Sequence, residues 1–371
     1  MSDKLRVGII GTGLVGKRHI QNYQSMRQEV EIVAVADVNV ADAQRVGHEH
    51  GIARVFSDYR DLLNIDEIDS VDVCLPNFLH APVTIAALEA GKHVYCEKPM
   101  ATTYAEARAM YDTAQRTGKR LAVQMRTLFT KETRTAKYLI QEGALGRTYY
   151  AKTSRYLRRA RVYVDGYATT HFVQKQKSGG GALIDVGVYQ IARMVYLLNN
   201  PEVETVTAST FQSLDMDEIR RRESGYNVEE IGTGFIRFKG GITMFVETAW
   251  AVNLDGGDGD CIMGSKGGLR LEPLAFHVNT KSNETGQQPF TLYTDVYGIE
   301  ADVHFNIDAY ERRMRLLGLM AEGCDDPQQH FVWGALGRVK MIDTAAIGLT
   351  VARLIEEMYR SAKERREINL S

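Results

Sequence analysis

Residues 5–16 read LRVGIIGTGLVG, an apolar run followed at once by three glycines. The glycines stand at 11, 13 and 16, which is the G-x-G-x-x-G spacing. In this pattern Gly11 permits a tight turn, Gly13 lets a pyrophosphate approach the backbone, and Gly16 lets the next helix pack on the sheet. The N-terminus of that helix faces the phosphates. The stretch predicts a strand, a turn and a helix that bind a dinucleotide; the alternative is a plain strand–helix turn.

An acidic residue after the second apolar run indicates which dinucleotide is bound. Asp37 ends the run EIVAVAD (31–37). A carboxylate there accepts hydrogen bonds from both ribose hydroxyls and repels a 2′-phosphate. The sequence therefore favours NAD over NADP, while the alternative for Asp37 is a solvated turn residue. The predicted loop contacts are Gly11, Thr12, Gly13, Leu14, Val15 and Gly16.

The first 126 residues alternate short apolar runs with segments of helical period. Continuous apolar runs are typical of parallel strands that are covered on both faces. The segment TYAEARAMYDTAQRTG ends at Gly118, a natural helix stop. We expect an α/β Rossmann domain with a doubly wound parallel sheet over residues 1–126. The predicted strands are 5–11, 31–37, 54–56, 71–76, 92–97 and 120–125.

From about residue 127 the sequence is rich in β-type runs separated by glycine turns. FIRFKGGITMFVETA reads as a hairpin about Gly240 and Gly241. We expect a second α/β domain over residues 127–371 with a large, open-faced, mostly antiparallel sheet. Its last helix packs on either domain. The predicted helices are about 129–142, 181–198, 305–322 and 340–364.

The composition is that of an ordinary globular protein, with 371 residues, 44% hydrophobic and 25% charged. A formal net charge of −2 argues against nucleic acid or an anionic membrane as a partner. No apolar run approaches the roughly 18–20 residues of a membrane span. Cys74, Cys96, Cys261 and Cys324 form no CxxC pair. We therefore expect reduced thiols in a cytoplasmic protein, and no metal site.

Three further motifs follow in order: LPNFLH (75–80), EKP (97–99) and GGGALIDVGVY (179–189). Together with the glycine loop they resemble the Gfo/Idh/MocA oxidoreductases, the superfamily of glucose–fructose oxidoreductase and inositol dehydrogenase. The resemblance covers nearly the whole chain. It implies a Rossmann domain, an open-faced β-sheet domain, and hydride transfer between a nicotinamide and sugars, polyols or related carbohydrates. It also implies a homodimer or homotetramer formed through the C-terminal sheet.

The resemblance implies roles for individual residues. Lys98 would contact both cofactor and substrate, and Pro99 often follows an unusual, sometimes cis, peptide. Arg126, in VQMRTLF, matches an arginine that the family often carries after the sixth strand, although no phenylalanine follows it directly here. The positions implied to lie along the cofactor are Pro76, Asn77, His80, Glu97, Lys98 and Arg126.

The residue types at the EKP motif suit proton transfer. The carboxyl ends of strands in doubly wound sheets face the ligand crevice, so we expect Lys98 to enter the site. Its ammonium, held against a substrate hydroxyl, would lower the pKa of that hydroxyl and stabilise alkoxide-like charge. Glu97 would orient or neutralise the lysine. The alternative is a surface Glu–Lys pair at a strand end.

Asp185 and Tyr189 are four residues apart on a segment that is apolar almost all round, so we expect a buried helix with both on one face. Many family members carry D-x-G-x-H, with histidine as the general acid/base. Here Tyr189 takes that position and Ala192 replaces a later aspartate, as in a tyrosine-containing branch similar to glucose–fructose oxidoreductase and dihydrodiol dehydrogenase. This departure argues against inositol dehydrogenase activity. A nearby ammonium lowers the pKa of a phenol, which is otherwise about 10, so Tyr189 still suits proton transfer. The alternative is that Asp185 caps a neighbouring segment and Tyr189 is a core residue.

Further candidates for substrate contact precede this helix. His171 would reach the substrate or replace the absent histidine; the alternative is a solvated loop residue. RYLRRARVY (155–163) would bind a sugar phosphate, a nucleotide sugar or an aromatic group, or else forms a solvated loop or subunit contact. Arg155 and Tyr156 lie at a strand end expected to face the crevice. The predicted substrate contacts are Lys98, Arg126, Arg155, Tyr156, His171, Asp185 and Tyr189.

Three functions compete at this point. The first is an NAD-dependent dehydrogenase of a sugar, polyol or glycoside, in which Tyr189 with Lys98 takes the hydroxyl proton. The second is an NAD-requiring glycosidase, in which transient oxidation at C3 acidifies C2 for elimination. The third is a nucleotide-sensing regulator, similar to the galactose-pathway repressor. Retention of Lys98, Asp185 and the hydroxyl of Tyr189 argues against the third.

Overall fold

The computed structural model describes residues 4–166, 168–254, 256, 259–271, 291–296, 299–304 and 326–370. The chain divides into two compact units. The predicted helix over 305–322 and Cys324 lie outside the described residues. The first unit comprises Met1–Met125, Gln176–Gly179 and Gly323–Ala352, and the second comprises Arg126–Lys175, Gly180–Glu322 and Arg353–Ser371.

The first unit is built on a six-stranded parallel sheet. Its strands are β1 (Leu5–Ile10), β2 (Val30–Ala36), β3 (Arg54–Phe56), β4 (Ser70–Val73), β5 (His93–Cys96) and β6 (Leu121–Val123). Their order is β3-β2-β1-β4-β5-β6, and every neighbouring pair is parallel. Val7, Ile9, Val71 and Val73 are fully buried because helices cover both faces. The strand order reverses between β1 and β4, which is where doubly wound sheets bind ligands.

The predicted helix stop at Gly118 is confirmed. A capping box between Thr103 and Glu106 starts the helix Tyr104–Thr117, and Gly118 ends it with a left-handed φ of 67°. The 3-10 turn Asn77–Leu79 leads into the helix His80–Glu89. The helices are α1 (Leu14–Ser25), α2 (Val40–His50), α3 (Tyr59–Leu63), α4 (His80–Glu89) and α5 (Tyr104–Thr117).

The second unit carries a nine-stranded mixed sheet. Its strands are β7 (Thr148–Tyr156), β8 (Val203–Phe211), β9 (Ile231–Phe238), β10 (Ile242–Ala249), β11 (Asp260–Gly264), β12 (Gly267–Leu271), β13 (Thr291–Val296), β14 (Ile299–His304) and β15 (Ile368–Asn369). The order is β14-β13-β12-β11-β7-β10-β9-β8-β15. Only the β7–β10 pair among these strands is parallel. The predicted hairpin is confirmed, since β9 and β10 are antiparallel and Gly240 and Gly241 both have positive φ.

The remaining helices are α6 (Lys131–Gln141), α7 (Lys175–Ser178), α8 (Val188–Leu197), α9 (Glu218–Ser224), α10 (Pro327–Ala335) and α11 (Thr344–Glu364). The 3-10 turns Arg126–Phe129 and Thr170–Val173 precede α6 and α7. One predicted helix differs from expectation: the stretch before α8 is a π-helical turn, Leu183–Gly187, rather than regular α-helix. The α/β fold class, with a parallel Rossmann sheet and a mostly antiparallel second sheet, is confirmed.

Cys74, Cys96 and Cys261 carry free thiols. No helix in the described part of the chain is both long and apolar enough to span a bilayer.

Candidate active site

Two of the three loop glycines are required by the protein itself, and the third is not. Gly11 has a φ of +100°, and a Cβ there would lie 2.3 Å from the carbonyl oxygen of Cys74. A Cβ on Gly16 would lie 2.0 Å from the carbonyl oxygen of Gly11. Gly13 has a φ of −64°, which suits any residue, and no described atom beyond its two neighbouring residues lies within 4 Å of its Cβ position. Glycine at 13 therefore leaves a space that the fold does not need.

Asp37 lies beside this space. Its Oδ2 accepts hydrogen bonds from the backbone nitrogen of Thr12 at 2.7 Å and from Thr12 Oγ1 at 3.1 Å, and its Oδ1 accepts from the backbone nitrogen of Asn39 at 2.9 Å. Helix α1 starts at Leu14, directly after the open position, and Val15 follows on its first turn. A helix N-terminus favours anionic groups. The residues thus fit the diphosphate and the ribose of a dinucleotide.

The LPNFLH segment is held mainly through its own buried polar groups. Pro76 and Asn77 lead into the 3-10 turn before α4, and the Asn77 amide donates to a backbone carbonyl at 2.9 Å. His80 is 1% exposed; its Nδ1 lies 2.7 Å from the Pro99 oxygen and its Nε2 lies 2.8 Å from the Leu75 oxygen. Burial lowers the pKa of His80. The imidazole therefore ties this segment to the EKP motif, and its contact with a cofactor stays a prediction.

The EKP motif follows β5 and contains a cis peptide between Lys98 and Pro99, the kind of peptide that the resemblance implied. The backbone N–H of Lys98 donates to Glu97 Oε2 at 3.0 Å, and Glu97 Oε1 lies 3.1 Å from Nε2 of His19. Burial would raise the pKa of Glu97, but His19 and Lys98 outweigh it and lower that pKa. Glu97 is therefore an ionised group that orients the backbone at Lys98.

Sequence reasoning missed two residues of this region, His19 and Asp72. His19 lies on α1 three residues after the last loop glycine, and its Nδ1 is 2.9 Å from Asp72 Oδ2. Asp72 is fully buried in β4. The available signal was an aspartate inside the apolar run VDVCLP, since a buried carboxylate requires a partner.

In the second unit, the π-helical turn and the start of α8 carry Asp185 and Tyr189. π-helical turns insert one extra residue and are frequent at functional sites. Trp250, which is fully buried, donates its Nε1–H to Asp185 Oδ2 at 2.9 Å. The Tyr189 carbonyl accepts a hydrogen bond from Thr127 Oγ1 at 2.8 Å. The prediction that this stretch is buried is confirmed for most of α8.

A third residue that sequence reasoning missed, Glu229, holds the start of this stretch. Its Oε2 accepts from the backbone nitrogen of Gly181 at 2.9 Å, and its Oε1 accepts from the backbone nitrogen of Leu183 at 2.9 Å. The hydroxyl of Tyr359 donates to the same Oε1 at 2.8 Å. Burial raises the pKa of Glu229, opposed by these hydrogen bonds. A Cβ on Gly180 would lie only 1.9 Å from the Tyr359 hydroxyl, which explains why the middle residue of the GGG run (179–181) is glycine.

Arginines cluster near the Asp185–Tyr189 stretch. Burial lowers the pKa of Arg155, and the neighbouring cations Arg126 and Arg193 lower it further, while Asp260 opposes them. Arg193, on α8, pairs with Asp260 at 3.0 Å. The structure thus brings Arg126 and Arg155 close to the helix that bears Tyr189.

The other predicted substrate contacts, Tyr156 and His171, lie on two different elements of the second unit. Tyr156 follows Arg155 as the last residue of β7. Burial raises the pKa of Tyr156, and the nearby Glu247 carboxylate raises it further. His171 lies half-buried in the 3-10 turn before α7. Within RYLRRARVY, Arg161 is 3% exposed and pairs with Asp165 and Glu230, so this arginine is structural.

Family models match both parts of the chain. Residues 5–125 match "Oxidoreductase family, NAD-binding Rossmann fold". Residues 133–270 match "GFO/IDH/MocA C-terminal domain".

Individual proteins match over different lengths. The D-glucoside 3-dehydrogenase of Escherichia coli (strain K12) is 32% identical over 382 residues, which cover 100% of this chain and 98% of that protein. The levoglucosan dehydrogenase of Pseudarthrobacter phenanthrenivorans is 34% identical over 56% of this chain and 55% of its own length. A solved structure of levoglucosan dehydrogenase with NADH and levoglucosan superimposes with a TM-score of 0.78 over 99% of both chains, at 23% identity.

Proposed function

The chain belongs to the Gfo/Idh/MocA oxidoreductase family with an NAD-binding Rossmann fold, and we propose that it oxidises a secondary hydroxyl of a sugar or glycoside. The observation that carries this proposal is the likeness to D-glucoside 3-dehydrogenase, which spans 98% of that protein. Rossmann domains are shared by enzymes of many substrates, so likeness confined to residues 5–125 would say little about the substrate. The similarity to D-glucoside 3-dehydrogenase extends through the second unit, which supports a substrate of the same chemical class as a glucoside.

The first unit supplies the cofactor contacts in this proposal. Gly13 leaves room for the diphosphate, and Asp37 is oriented by Thr12 to accept from the ribose hydroxyls. Loop positions Leu14 and Val15, with Pro76, Asn77, His80 and Arg126, complete the proposed contacts. When bound, NAD supplies the carbon that accepts the hydride. We assign residues 1–126 to cofactor binding and residues 127–371 to substrate binding.

The proton is handled by two side chains. The Lys98 ammonium stabilises negative charge on the substrate oxygen as its proton leaves. The Tyr189 hydroxyl accepts that proton. Asp185 orients the substrate from a carboxylate fixed by Trp250. Arg126, Arg155, Tyr156 and His171 are proposed substrate contacts.

The test is an NADH-formation assay on glucosides, levoglucosan, inositols and free sugars, run on the full chain. We expect turnover of at least one pyranoside. Lys98→Ala and Tyr189→Phe should each lower kcat roughly 10²- to 10⁴-fold, the usual scale for a positioned proton-transfer or electrostatic group. Lys239→Ala and Tyr149→Phe, at exposed positions, are the matched controls.

Other outcomes would overturn the proposal. Release of an aglycone without net NADH would favour the NAD-requiring glycosidase. Tight NADH binding with no turnover of any compound would favour a nucleotide sensor. If His171→Ala abolishes turnover while Tyr189→Phe does not, the proton acceptor is the loop histidine.

We further propose a cytoplasmic homodimer or homotetramer that forms through the second sheet. Free thiols at the described cysteines support a reducing compartment. Strand register and side-chain alternation put Tyr150, Phe235, Phe245, Met263 and Tyr293 on one face of this sheet. Met263 is 42% and Tyr293 40% exposed. Sedimentation should show an oligomer, and Met263→Glu should weaken it; a wild-type monomer would contradict the proposal.

A further inference from the structure

A histidine lies between two carboxylates beneath the glycine loop. His19 is 4% exposed and lies on α1, which starts at the loop. Its Nδ1 is 2.9 Å from Asp72 Oδ2, and its Nε2 is 3.1 Å from Glu97 Oε1. Asp72 lies in β4 and Glu97 directly follows β5. One imidazole therefore joins the cofactor-loop helix to two neighbouring strands of the sheet.

The hydrogen-bond geometry defines the charge of this histidine. An ionised carboxylate has no proton and only accepts hydrogen bonds. When both carboxylates are ionised, a partner at each ring nitrogen requires that both nitrogens carry a proton, so the geometry favours the imidazolium. Gln328 supports the arrangement, because its Nε2 donates to the His19 carbonyl at 3.2 Å and reaches Asp72 Oδ2 at 3.4 Å.

The charges around the ring agree with this geometry. Burial disfavours the imidazolium, but the Asp72 carboxylate opposes burial, and the pKa of His19 is raised. Glu97, in turn, has its pKa lowered by His19 and Lys98. The titratable groups that face the ring or its partners are Asp72, Cys74, Glu97, Lys98, His80, Tyr23 and Tyr95.

A metal site is the competing interpretation. His19, Asp72 and Cys74 bring three donor atoms within 4.8 Å of one another. A metal ligand must present a nitrogen lone pair and a thiolate. Nδ1 faces Asp72 and, at 3.3 Å, the Cys74 sulfur, while Nε2 faces Glu97. Burial raises the pKa of Cys74, which favours the thiol over the thiolate that a metal would need. The arrangement is that of an ion-pair bridge.

We propose that His19 is a positioning residue for the reaction: a constantly protonated imidazolium that locks Glu97 and, through it, the Lys98 backbone onto the cofactor-loop helix. Glu97 gives one oxygen to His19 and the other to the N–H of Lys98. The bridge fixes the lysine relative to the helix that binds the diphosphate. The effect of His19 on turnover rests on the role proposed for Lys98, but the charge state of His19 does not.

The charge state is tested on the wild-type protein by long-range ¹H–¹⁵N NMR of its histidine rings. His19→Gln identifies the signal among the nine histidines. We expect both His19 nitrogens to carry protons at pH 8, where an ordinary histidine with a pKa of about 6.5 is neutral. A His19 signal with one unprotonated nitrogen at pH 8 overturns the proposal, whatever the enzyme does.

The positioning role is tested by kinetics. His19→Gln should lower kcat about tenfold to a hundredfold, the scale of a roughly 1 Å misplacement of a reacting group, and leave NADH affinity nearly unchanged. Without the cation, Asp72 and Glu97 repel, so one of them takes up a proton in a higher pH range. The variant should therefore gain an acid limb in its pH–rate profile. Asp72→Asn added to His19→Gln should remove that limb, and it also provides a second variant if the single one folds poorly.

Cys74→Ala is the matched control, because it removes the third donor atom but leaves both ion pairs. It should keep normal kcat; a loss equal to that of His19→Gln, together with loss of a bound metal, would overturn the proposal in favour of a metal site. Normal kcat and an unchanged pH profile in His19→Gln, with Lys98→Ala inactive, would overturn the positioning role and leave the proposed function intact. A near-normal Lys98→Ala would instead contradict the proposed function.

Discussion

Glu97 in the first unit and Glu229 in the second are both enclosed carboxylates that support a proposed catalytic segment, yet their surroundings differ. Glu97 meets the His19 ring and the N–H of Lys98. Glu229 is held by two backbone N–H groups and the Tyr359 hydroxyl. The pKa of Glu97 is lowered despite burial, whereas burial raises the pKa of Glu229.

At Glu229, hydrogen bonds from neutral donors do not offset the effect of burial on the pKa. Neutral donors hold Glu229 in place, but they leave its charged form disfavoured. A cation beside Glu97 reverses the balance. We therefore expect the two carboxylates to respond differently to loss of charge, to added volume and to pH.

The largest expected effect is on stability after charge removal. Glu97→Gln leaves the His19 cation with one carboxylate, and loss of a member of a buried ion pair costs about 3–5 kcal/mol. We expect the lower end of that range, since the amide oxygen still accepts one hydrogen bond. In Glu229→Gln the amide N–H₂ faces a backbone N–H, so two donors meet and one hydrogen bond is lost. The free energy of unfolding should fall by about 1–3 kcal/mol. Hydrogen exchange, measured separately in each unit, checks both values.

Glu49→Gln is the control for this pair, because Glu49 is an exposed partner of Arg45 on α2. Its effect should stay within about 1 kcal/mol. If Glu229→Gln destabilises more than Glu97→Gln, the ion pair is not the stronger support and the comparison fails.

The next effect concerns volume at two glycines. Gly180→Ala places a Cβ 1.9 Å from the Tyr359 hydroxyl beside Glu229, and such overpacking costs about 1–3 kcal/mol. Gly13→Ala meets no described atom, so folding should be unaffected. Its methyl group would instead fill the proposed diphosphate space and raise the NADH Kd roughly 10- to 100-fold. This factor is the overpacking cost of about 1–3 kcal/mol converted into a change of Kd. Thermal unfolding and NADH fluorescence separate the two; unchanged NADH binding in Gly13→Ala would contradict the cofactor site.

The third effect is the sign of the pH dependence. An unfolded glutamate has a pKa of about 4.3. Glu97, with a lowered folded pKa, stabilises above that value and loses its contribution as pH falls through its folded pKa. Glu229, with a raised folded pKa, reduces the free energy of unfolding as pH rises above about 4.3. The scale is about 1.4 kcal/mol per pKa unit.

Urea denaturation of the wild type and of both variants at several pH values tests these opposite pH dependences. The penalty of Glu97→Gln should grow as pH rises toward about 4.3 and then stay constant. The penalty of Glu229→Gln should shrink as pH rises above that value. Parallel curves for the two variants would show that both carboxylates are ionised in the same way.

Local sequence patterns predicted much of the fold. The parallel strands, the helix stop at Gly118 and the hairpin about Gly240 depend on residues within a few positions of each other. The glycine loop and Asp37 were predictable for the same reason, since one strand–helix unit and the next strand define them.

The supports of the proposed site were not predictable in this way. His19 meets Asp72 across 53 residues, and Tyr359 meets Glu229 across 130. Such contacts form only when distant elements pack, and no periodicity marks them. The π-helical turn at Leu183–Gly187 was missed because its apolar pattern is the same as that of an ordinary buried helix.

Asp37 is a third carboxylate, with neutral donors from Thr12 and Asn39, and its loss should affect folding least among the three carboxylates. Asp37→Asn keeps its shape and one acceptor oxygen, so we expect a cost of about 1 kcal/mol, the worth of one hydrogen bond. The change should appear in cofactor choice, because the missing charge no longer repels a 2′-phosphate. The ratio of the NADPH Kd to the NADH Kd should fall about tenfold, or about 1.4 kcal/mol.

Fluorescence titration of both nucleotides, on wild type and on Asp37→Asn, measures that ratio. Asp42→Asn is the control, since Asp42 is a carboxylate on α2 that pairs with Lys17 and Arg45. Its ratio should match that of the wild type. Equal binding of NADPH and NADH by the wild-type protein would contradict the preference for NAD. A ratio unchanged by Asp37→Asn would mean that the carboxylate, like Glu229, serves only to hold the backbone around it.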